Sequence, residues 1–475
     1  MITTILSGEQ IKRINDASLE VLERCGVIVP HRDILGLFAD AGAHVVSDRQ
    51  QVKIPPDLVT NLVGMAGRSF TLCGRDVSCK AEFGAGKRNY NSIAGEAHWV
   101  DEAGGKRRYA TLKDVAVASR FADGLSSINI AGAMADPHEL PVSWRSVAVV
   151  AEMIRNTVKP VGFWFHDRAS ASYIMEILTS LRGDEVKAKK YPLFYPFLEP
   201  ISPLRFPFNG VDLLFETSRL DLPVSIGPMA QTGLSAPGTL AGTMVQENAE
   251  ILAGICITQL IKPGIPVCYG GICHAFDMST TQMIFAGPEQ AIYGVAMTQM
   301  GKNYGLPVYI NVGLTDSKIP DGQAGMEAGI TLALGASAGA DIFGHMGISG
   351  VDQASSLDML AMQNEIIAYV EKVLYSLEVN DETLGVNEIL EAGPGGTFID
   401  REHTVRHFRK ELWFPRLLDR NYYQQWYDGG GLDMRERCRL EKERILNTHR
   451  AEPLSPELSR EIEKIVASAR KSLEK

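Results

Sequence analysis

The stretch PVYINVGLTDSKIPDGQAG, Pro307–Gly325, contains a predicted strand, a polar loop and the start of a helix. Its first part is rich in β-formers and is bounded by Pro307 and Gly313, which predicts a short strand. Its last part contains Asp321, a good N-cap residue, before helix-tolerant residues that continue through Ala338. The polar loop therefore follows the C-terminal end of a strand, where barrel enzymes carry their catalytic groups. The alternative is an ordinary capped βα loop with solvated charges.

The same alternation of strand, loop and helix repeats from about residue 86. The eight strand candidates are Arg88–Ser92, Ser127–Ala131, Pro160–Phe165, Pro192–Leu198, Pro223–Ile226, Pro266–Tyr269, Pro307–Asn311 and Asp341–His345. Eight strands that alternate with helices predict an α/β fold, a (β/α)8 TIM barrel. A doubly wound open sheet is the alternative, although no GxGxxG motif follows a strand.

The chain divides into three predicted domains. Residues 1–85 contain a capping-box helix start at Ser7 and are predicted to form an N-terminal α/β cap or an oligomer-forming layer. Residues 86–380 form the predicted catalytic barrel. Residues 381–475 contain the break Gly393–Gly396 and a charge-rich tail, and are predicted to form a C-terminal helical extension.

Composition and charge predict a cytoplasmic globular protein. The 45% hydrophobic and 22% charged residues are typical of globular chains, and the net charge of −10 argues against nucleic-acid binding. The seven cysteines are scattered without a CxxC motif and are predicted to be reduced. The N-terminus lacks a signal-peptide pattern. The longest apolar helix candidate, Thr239–Ile261, contains Glu247 and Glu250 and is not predicted to span a membrane.

Aromatic residues are frequent at three predicted strand ends. They are Trp164, Phe165, Phe194, Tyr195, Phe197 and Phe276. Aromatic faces can hold a quaternary ammonium group by cation–π attraction. The alternative is that about half of these rings fill the barrel core, since alternate side chains of a strand point inward and outward.

Polar residues at the strand ends are few and varied. They are Glu199, His274, Asn311, Asp316 and His345. No GxSxG, HExxH or P-loop motif accompanies them. Lys318 is a candidate for a Schiff base if it is desolvated, but its neighbour Asp316 favours a charged, paired lysine. His403 and His407 have i,i+4 spacing, which indicates a helix-surface pair, and no metal site is predicted.

Four stretches resemble the trimethylamine methyltransferase (MttB) family. They are Gly233–Gly271, Gly313–Gly329, Gly393–Arg420 and His31–Pro56, so the resemblance runs essentially end to end. It implies a TIM barrel that moves a methyl group from a methylated amine to the cobalt of a corrinoid (cobalamin) carried by a separate protein. It also implies a homo-oligomer, with no tightly bound metal in this chain.

The founding members of that family carry pyrrolysine, and this sequence contains only standard residues. The branch that lacks pyrrolysine resembles quaternary amine methyltransferases, which implies glycine betaine as the donor and dimethylglycine as the product. A quaternary nitrogen leaves as a neutral tertiary amine and needs no general acid, so positioning and exclusion of water are the enzyme's tasks. Trimethylamine is predicted to react poorly.

Site residues are assigned on this interpretation. The predicted catalytic residues are Asp316, Glu199 and Asn311. The predicted substrate-binding residues are Trp164, Phe165, Phe197, Phe276, His274, His345 and Lys318. The predicted cofactor contacts are Thr315, Ser317 and Gln323. Two alternatives stay open, namely a betaine-binding barrel without catalysis and a lyase or aldolase that uses Lys318.

Overall fold

The structure is a computed structural model that describes residues 3–474. The N-terminal elements are α1 (Gly8–Arg24), β1 (Val27–Ile28), α2 (Arg32–Asp40), β2 (His44–Val46), β3 (Gln51–Lys53), α3 (Pro56–Met65), β4 (Phe70–Cys73) and β5 (Lys80–Phe83). The central elements are β6 (Asn89–Ser92), β7 (His98–Val100), β8 (Arg107–Tyr109), α4 (Leu112–Asp123), β9 (Ala131–Gly132), α5 (Val142–Asn156), β10 (Val161–Gly162), α6 (Arg168–Arg182), α7 (Glu185–Lys190), β11 (Phe197–Leu198), α8 (Phe208–Thr217), β12 (Val224–Ile226), β13 (Gln231–Thr232), α9 (Leu240–Ile261), β14 (Val267–Gly271), β15 (His274–Asp277), β16 (Gln282–Ile284), α10 (Pro288–Asn303), β17 (Val308–Asn311), α11 (Gly322–Ala338), β18 (Ile342–Met346), β19 (Ile348–Ser349), β20 (Ala354–Ser356) and α12 (Leu357–Val373). The C-terminal elements are α13 (Asp381–Leu384), α14 (Val386–Ala392), α15 (Glu402–Glu411), α16 (Tyr423–Asp428), α17 (Met434–Thr448) and α18 (Pro456–Leu473).

Eight parallel strands close into a barrel. Six of them pair in the order β11–β12–β14–β17–β18–β6, and β9 pairs with β10. The amide of Ile130 donates to the carbonyl oxygen of Tyr90 at 3.1 Å, and that of Val161 donates to Leu193 at 3.1 Å, so the two sheets join at both edges. The predicted (β/α)8 barrel is therefore confirmed, and the open sheet is excluded.

Two barrel strands begin well after their predicted starts, and one of them is β11, which starts at Phe197 within the candidate Pro192–Leu198. The candidate Ser127–Ala131 is represented by β9, which starts at Ala131. The side-chain oxygen of Asn129 accepts the amide of Tyr90 at 3.0 Å, in place of a main-chain carbonyl. A side-chain bond of this kind interrupts the regular ladder and delays the strand.

The barrel wall separates two hydrophobic clusters. The inner cluster includes Ile130, Cys268 and Tyr309, whereas the outer cluster contains the residues that face the surrounding helices. Strand β17 contributes to both, because Tyr309 belongs to the inner cluster and Ile310 to the outer one. This alternation follows from the two-residue period of a strand.

A hairpin formed by β4 and β5 closes the N-terminal end of the barrel. Phe70, Leu72 and Phe83 belong to or pack on the inner cluster, and the rings of Phe70 and Phe83 stack at 4.2 Å. The amide of Cys73 donates to the carbonyl of Pro192, five residues before β11, at 2.7 Å. The barrel interior therefore opens toward the C-terminal ends of the strands.

The remaining N- and C-terminal helices pack on the outside of the barrel. Ile14 and Leu22 of α1, and Ile462 and Ile465 of α18, belong to the same outer cluster as the barrel helices. Lys442 of α17 pairs with Asp358 at 2.9 Å. The division into three domains stays a prediction. Among the described residues, no helix is both long and apolar enough to span a membrane.

Two small sheets stand at the open end of the barrel. One contains β13, β15 and β16, and the other has the order β19–β20–β7–β8. In the second sheet β7 and β20 run parallel, with His98 opposite Ala354. This register brings the loops before these two strands together above the barrel.

Candidate active site

Six aromatic side chains line a narrow cavity at the C-terminal end of the barrel, namely Phe163, Trp164, Tyr195, Phe197, Tyr309 and His345. The centroid of the Trp164 ring lies 6.2 Å from that of Phe197, which lies 5.4 Å from that of Tyr309. The centroid of the His345 ring lies 5.7 Å from Tyr309 and 6.3 Å from Trp164, so the contacts form a closed cycle. We refer to Trp164, Phe197, Tyr309 and His345 as the aromatic cage.

Backbone features of the barrel hold these rings in place. The indole nitrogen of Trp164 donates to the carbonyl oxygen of Gly95 at 2.8 Å, which fixes the ring plane. The Phe197 ring occupies the space that a side chain at Gly227 would need, and the hydroxyl of Tyr309 does the same at Gly344. Glycine at these two positions therefore makes room for the cage.

Two neutral histidines lie in or beside the cage. Burial first, and then the nearby His274, lowers the pKa of His345 to about 3. Burial likewise lowers the pKa of His274 to about 4. The Nε2 atom of His274 lies 3.3 Å from Nδ2 of Asn311, whose side-chain oxygen accepts no hydrogen bond from the described residues. Both imidazoles are therefore neutral polar groups near neutral pH.

Three carboxyl groups cluster at the mouth of the barrel, and sequence reasoning identified only Glu199. Burial, together with the negative charge of Asp352, raises the pKa of Glu96, and the protonated Glu96 donates a hydrogen bond to Asp352. Burial also raises the pKa of Asp352. Burial first, and then the charge of Asp352, raises the pKa of Glu199 to about 7, although Glu199 still reaches water through the open mouth. We call Glu96, Asp352 and Glu199 the carboxyl cluster.

No ion pair with Lys, Arg or His within the described residues neutralises the carboxyl cluster. Uncompensated carboxyl groups near a buried site hold protons to high pH and attract cations when they ionise. The aromatic faces beside them attract cations too. The arrangement is therefore suited to a small organic cation.

The polar loop that follows β17 is hydrogen-bonded to the first turns of helix α11. The hydroxyl of Thr315 donates to Glu327 at 2.7 Å, and the side-chain amide of Gln323 donates to the other oxygen of Glu327 at 2.9 Å. The hydroxyl of Ser317 lies 3.0 Å from the N-cap carboxylate of Asp321. The assignment of Thr315, Ser317 and Gln323 as cofactor contacts stays a prediction.

Asp316 of the same loop accepts hydrogen bonds from the neighbouring small sheet. Its carboxylate accepts the amide of Phe285 at 3.0 Å and that of Ala286 at 3.4 Å. Burial raises the pKa of Asp316, and these two amides oppose the rise. Asp316 thus joins the loop after β17 to the segment after β16, and its catalytic assignment stays a prediction.

Three other predicted residues lie outside the cage. The ring of Phe165 packs 4.7 Å from Phe163 and is in contact with the outer cluster. Phe276 lies in β15, at the open end of the barrel. Lys318 is exposed, and its amino group donates to the carbonyl of Asp316 at 2.7 Å. An exposed lysine lacks the desolvation that activates a Schiff-base amine.

His403 and His407 lie on α15, far along the chain from the barrel. Their rings are 4.4 Å apart, and both contact Glu382 of α13. The potential donor atoms of these three residues lie within 4.8 Å of one another, but Arg406 also pairs with Glu382 at 3.2 Å. The group agrees with the predicted helix-surface pair.

The residues that sequence reasoning missed are Tyr309, Glu96 and Asp352. The sequence predicts Tyr309 only as part of the strand Pro307–Asn311, although strand alternation places it on the same face as Asn311. Glu96 and Asp352 follow β6 and β18 by four and six residues, beyond the positions considered as strand ends. Their proximity depends on the pairing of β7 with β20, for which the sequence carries no local signal.

The fold and this site define a class of protein: a (β/α)8 barrel with an aromatic, carboxyl-rich pocket at the C-terminal ends of its strands. The model of the family "Trimethylamine methyltransferase (MTTB)" matches residues 1–474. The chain therefore belongs to the MttB family of methyltransferases.

Relatives of the same length carry two different substrate names. The trimethylamine methyltransferase MttB of Methanosarcina thermophila is 30% identical, over 97% of this chain and 96% of the relative. The glycine betaine methyltransferase of Desulfitobacterium hafniense (strain Y51) is 27% identical, over 99% of this chain and 98% of the relative. The solved monomethylamine methyltransferase MtmB of Methanosarcina barkeri has 10% identity and a TM-score of 0.48, over 100% of this chain and 95% of that chain.

Proposed function

We propose that the protein transfers a methyl group from a quaternary ammonium compound, with glycine betaine as the donor, to the Co(I) centre of a separate corrinoid protein. The observation that carries this proposal is the aromatic cage beside the carboxyl cluster. A trimethylammonium group has no hydrogen-bond donor, so it is recognised by ring faces and by negative potential.

The cage favours a quaternary over a tertiary amine. Trimethylamine is charged only when it is protonated, and burial among aromatic rings promotes loss of that proton. A quaternary nitrogen keeps its charge in any environment. Its methyl group can leave with the bonding electron pair returning to nitrogen, which yields a neutral amine and needs no proton donor. The neutral state of His345 agrees with a site that positions the substrate without acid–base chemistry.

The mouth of the barrel also suits delivery from a partner protein. The corrinoid supplies a strongly nucleophilic cobalt centre when its carrier protein docks. Glu199 is exposed at this end of the barrel, so the cage is reachable from outside, whereas the opposite end is closed by the hairpin of β4 and β5. The residues of this chain then orient the methyl group and exclude water.

Glycine betaine adds a carboxylate, which needs hydrogen-bond donors. A carboxyl group with a raised pKa is neutral near pH 7 and can donate its proton in a hydrogen bond. Glu199, with its pKa raised to about 7, is such a group in its protonated form, whereas Glu96 already donates its proton to Asp352. Arg107 and Lys318, which both lie against Gly350 near the mouth, offer positive charge at the rim. We assign the carboxylate of the donor to this side of the mouth.

A donor panel tests the proposal. Reduced cobalamin, or the cognate corrinoid protein, is incubated with the enzyme and glycine betaine, carnitine, choline or trimethylamine, and loss of the Co(I) absorbance is followed. Glycine betaine is expected to react fastest and trimethylamine to be nearly inert. A trimethylamine rate equal to that of the best quaternary donor would overturn the proposal. Binding of betaine without turnover in any arm would favour a binding protein.

A further inference from the structure

Three consecutive helices that follow α12 have no hydrophobic core of their own. Helices α13, α14 and α15 have 4, 7 and 10 residues, and the structure describes all of them without a buried side chain. Helices this short are not stable in isolation in water. Small units without a core are held together by another link, such as a disulfide or a bound metal ion. The side chains that join these helices are therefore of interest.

Two histidines of α15 face a single residue of α13. His403 and His407 are one helical turn apart and share a face of α15. The Nε2 atom of His403 lies 2.9 Å from the main-chain oxygen of Glu382, and that of His407 lies 3.1 Å from the Oε1 atom of Glu382. The sequence shows the histidine pair alone, and the structure adds a carboxylate that stands 21 residues earlier in the chain than His403.

The local backbone fixes the position of Glu382. A capping box begins α13, because the amide of Thr383 donates to the side chain of Asn380 at 2.9 Å and the amide of Asn380 donates to the hydroxyl of Thr383 at 2.9 Å. Gly385 ends this helix with a φ of 58°, in the left-handed region that favours glycine. Glu382 is thus held between two fixed turns and faces α15.

These three side chains form a donor set for a transition-metal ion. Two imidazole nitrogens and a carboxylate oxygen are ligands that Zn²⁺ prefers, at about 2.0–2.2 Å each. Ligand atoms on one tetrahedral ion are therefore roughly 3.4 Å apart. The candidate atoms of Glu382, His403 and His407 all lie within 4.8 Å of one another, so small side-chain rotations are enough to close the site. The fourth position is left to water.

Arg406 is the one cation that contacts Glu382 besides the histidines among the described residues. Its guanidinium lies 3.2 Å from the carboxylate, and the two side chains are 53% and 52% exposed. An exposed ion pair of this kind contributes little free energy. Asp381 and Glu388 line the same pocket, so acidic groups outnumber the arginine there and favour a cation. A metal ion can therefore displace Arg406 into solvent.

We propose that Glu382, His403 and His407 bind a Zn²⁺ ion, which links α13 to α15. The free energy of metal binding then stabilises helices that bury no side chain of their own. The ion has a structural role here, because its ligands come from two short helices of the C-terminal segment.

The site is remote from the mouth of the barrel. Lys372, near the end of α12, donates to the main-chain oxygen of Lys410 in α15 at 3.2 Å. Helix α12 follows β20 at the open end of the barrel, and its 17 residues span about 25 Å. Zinc binding is therefore independent of the methyl donor and of the aromatic cage.

Calorimetric titration of the full chain with zinc chloride, after removal of metal by a chelator, tests the proposal. The wild type is expected to bind an ion that His407→Ala binds at least about tenfold more weakly, since loss of a residue that merely orients a ligand already costs about 10- to 100-fold. His44→Ala is the matched control, because His44 is an exposed histidine on β2, and it is expected to leave the affinity unchanged. Circular dichroism checks that each variant is folded.

Arg406→Gln separates a metal site from a merely structural ion-pair network. This variant frees the carboxylate of Glu382, so zinc is expected to bind more tightly than in the wild type. Hydrogen exchange provides a second measurement. Zinc is expected to slow the exchange of amides in α13 and α15 of the wild type, and to leave it unchanged in His407→Ala.

Four results would overturn the assignment. The first is a wild type that binds no zinc, and the second is an affinity that His407→Ala leaves unchanged, which would give the ion to other residues. The third is an equal loss of affinity in His44→Ala, which would indicate non-specific binding to exposed histidines. The fourth is zinc binding without slower exchange in α13 and α15, which would remove the proposed link between the two helices.

Discussion

The loop after β17 and the mouth of the barrel are both polar, but their hydrogen bonding differs. Thr315 and Ser317 of the loop are bonded to helix α11 and its N-cap, and Gln323 in the first turn of α11 is bonded to Glu327. At the mouth, Glu199 and His345 make no side-chain hydrogen bond to any described residue, and Asp352 shares a proton with Glu96. Polar residues are frequent in the sequence of both regions. Of the two regions, only the mouth has polar side chains without a hydrogen-bond partner among the described residues.

This difference in hydrogen bonding indicates which polar residues stabilise the fold and which are available to bind a ligand. A polar group that is already hydrogen-bonded contributes to the fold, and its removal leaves a partner unsatisfied. A group held without partners, with a shifted pKa and beside a cavity, is a candidate for contact with a ligand. We therefore expect changes at the mouth to alter ligand affinity and changes in the loop to alter the free energy of unfolding.

The largest effect is expected from a charge reversal at the mouth. Glu199→Lys should weaken binding of tetramethylammonium about 100-fold, because two like charges roughly 6 Å apart repel by about 3 kcal/mol at the effective dielectric of a protein surface. Calorimetric titration measures the dissociation constant. Gln323→Lys, in the first turn of α11 beside the loop, is the matched control, and an equal loss in that variant would erase the distinction between the two regions.

The aromatic cage should contribute the next largest effect. Phe197→Ala or Trp164→Ala removes a cation–π contact, so the binding free energy of a quaternary ammonium ligand should weaken by roughly 1–2 kcal/mol. The dissociation constant should therefore rise about 5- to 30-fold. Phe165→Ala is the comparison, because its ring packs on Phe163 outside the cage. If Phe165→Ala weakens binding as much as Phe197→Ala, then Phe165 contacts the substrate as the sequence predicts.

The pH dependence should distinguish two kinds of donor. Glu199 has a raised pKa of about 7, so it is neutral below this pH and negative above it. Ionisation attracts choline, which is purely cationic, and repels the carboxylate of glycine betaine. The ratio of the dissociation constant of betaine to that of choline should therefore rise by up to about tenfold between pH 6 and pH 8. In Glu199→Gln this ratio should stay flat, and a steep slope there would assign the titration to another group.

The smallest effect on binding is expected in the loop. Thr315→Ala removes the hydroxyl that donates to Glu327, so the free energy of unfolding should fall by about 1 kcal/mol while the dissociation constant for betaine stays unchanged. Thermal unfolding and calorimetry measure the two quantities. A loss of affinity for the corrinoid protein in this variant would support the sequence-based assignment of Thr315 as a cofactor contact.

Much of the barrel could be predicted because its signals are local. Proline-initiated strands, polar loops and capped helices each lie within a few residues, and β17 with α11 shows all three. Trp164 and Phe197 could be named because they stand at strand ends. The carboxyl cluster could not be predicted, because Glu96 and Asp352 become neighbours only through the pairing of two strands more than 250 residues apart. Glu96 stands two residues before His98, and Asp352 stands two residues before Ala354, which is paired with His98.

A crystal structure of the enzyme with glycine betaine would show whether the aromatic cage holds the trimethylammonium group. We expect density for this group within about 6 Å of the ring centroids of Trp164, Phe197 and Tyr309. We also expect the carboxylate to point toward Glu199 and the rim. Density for the ligand beside Thr315, Ser317 and Gln323, with an empty aromatic cage, would contradict this placement.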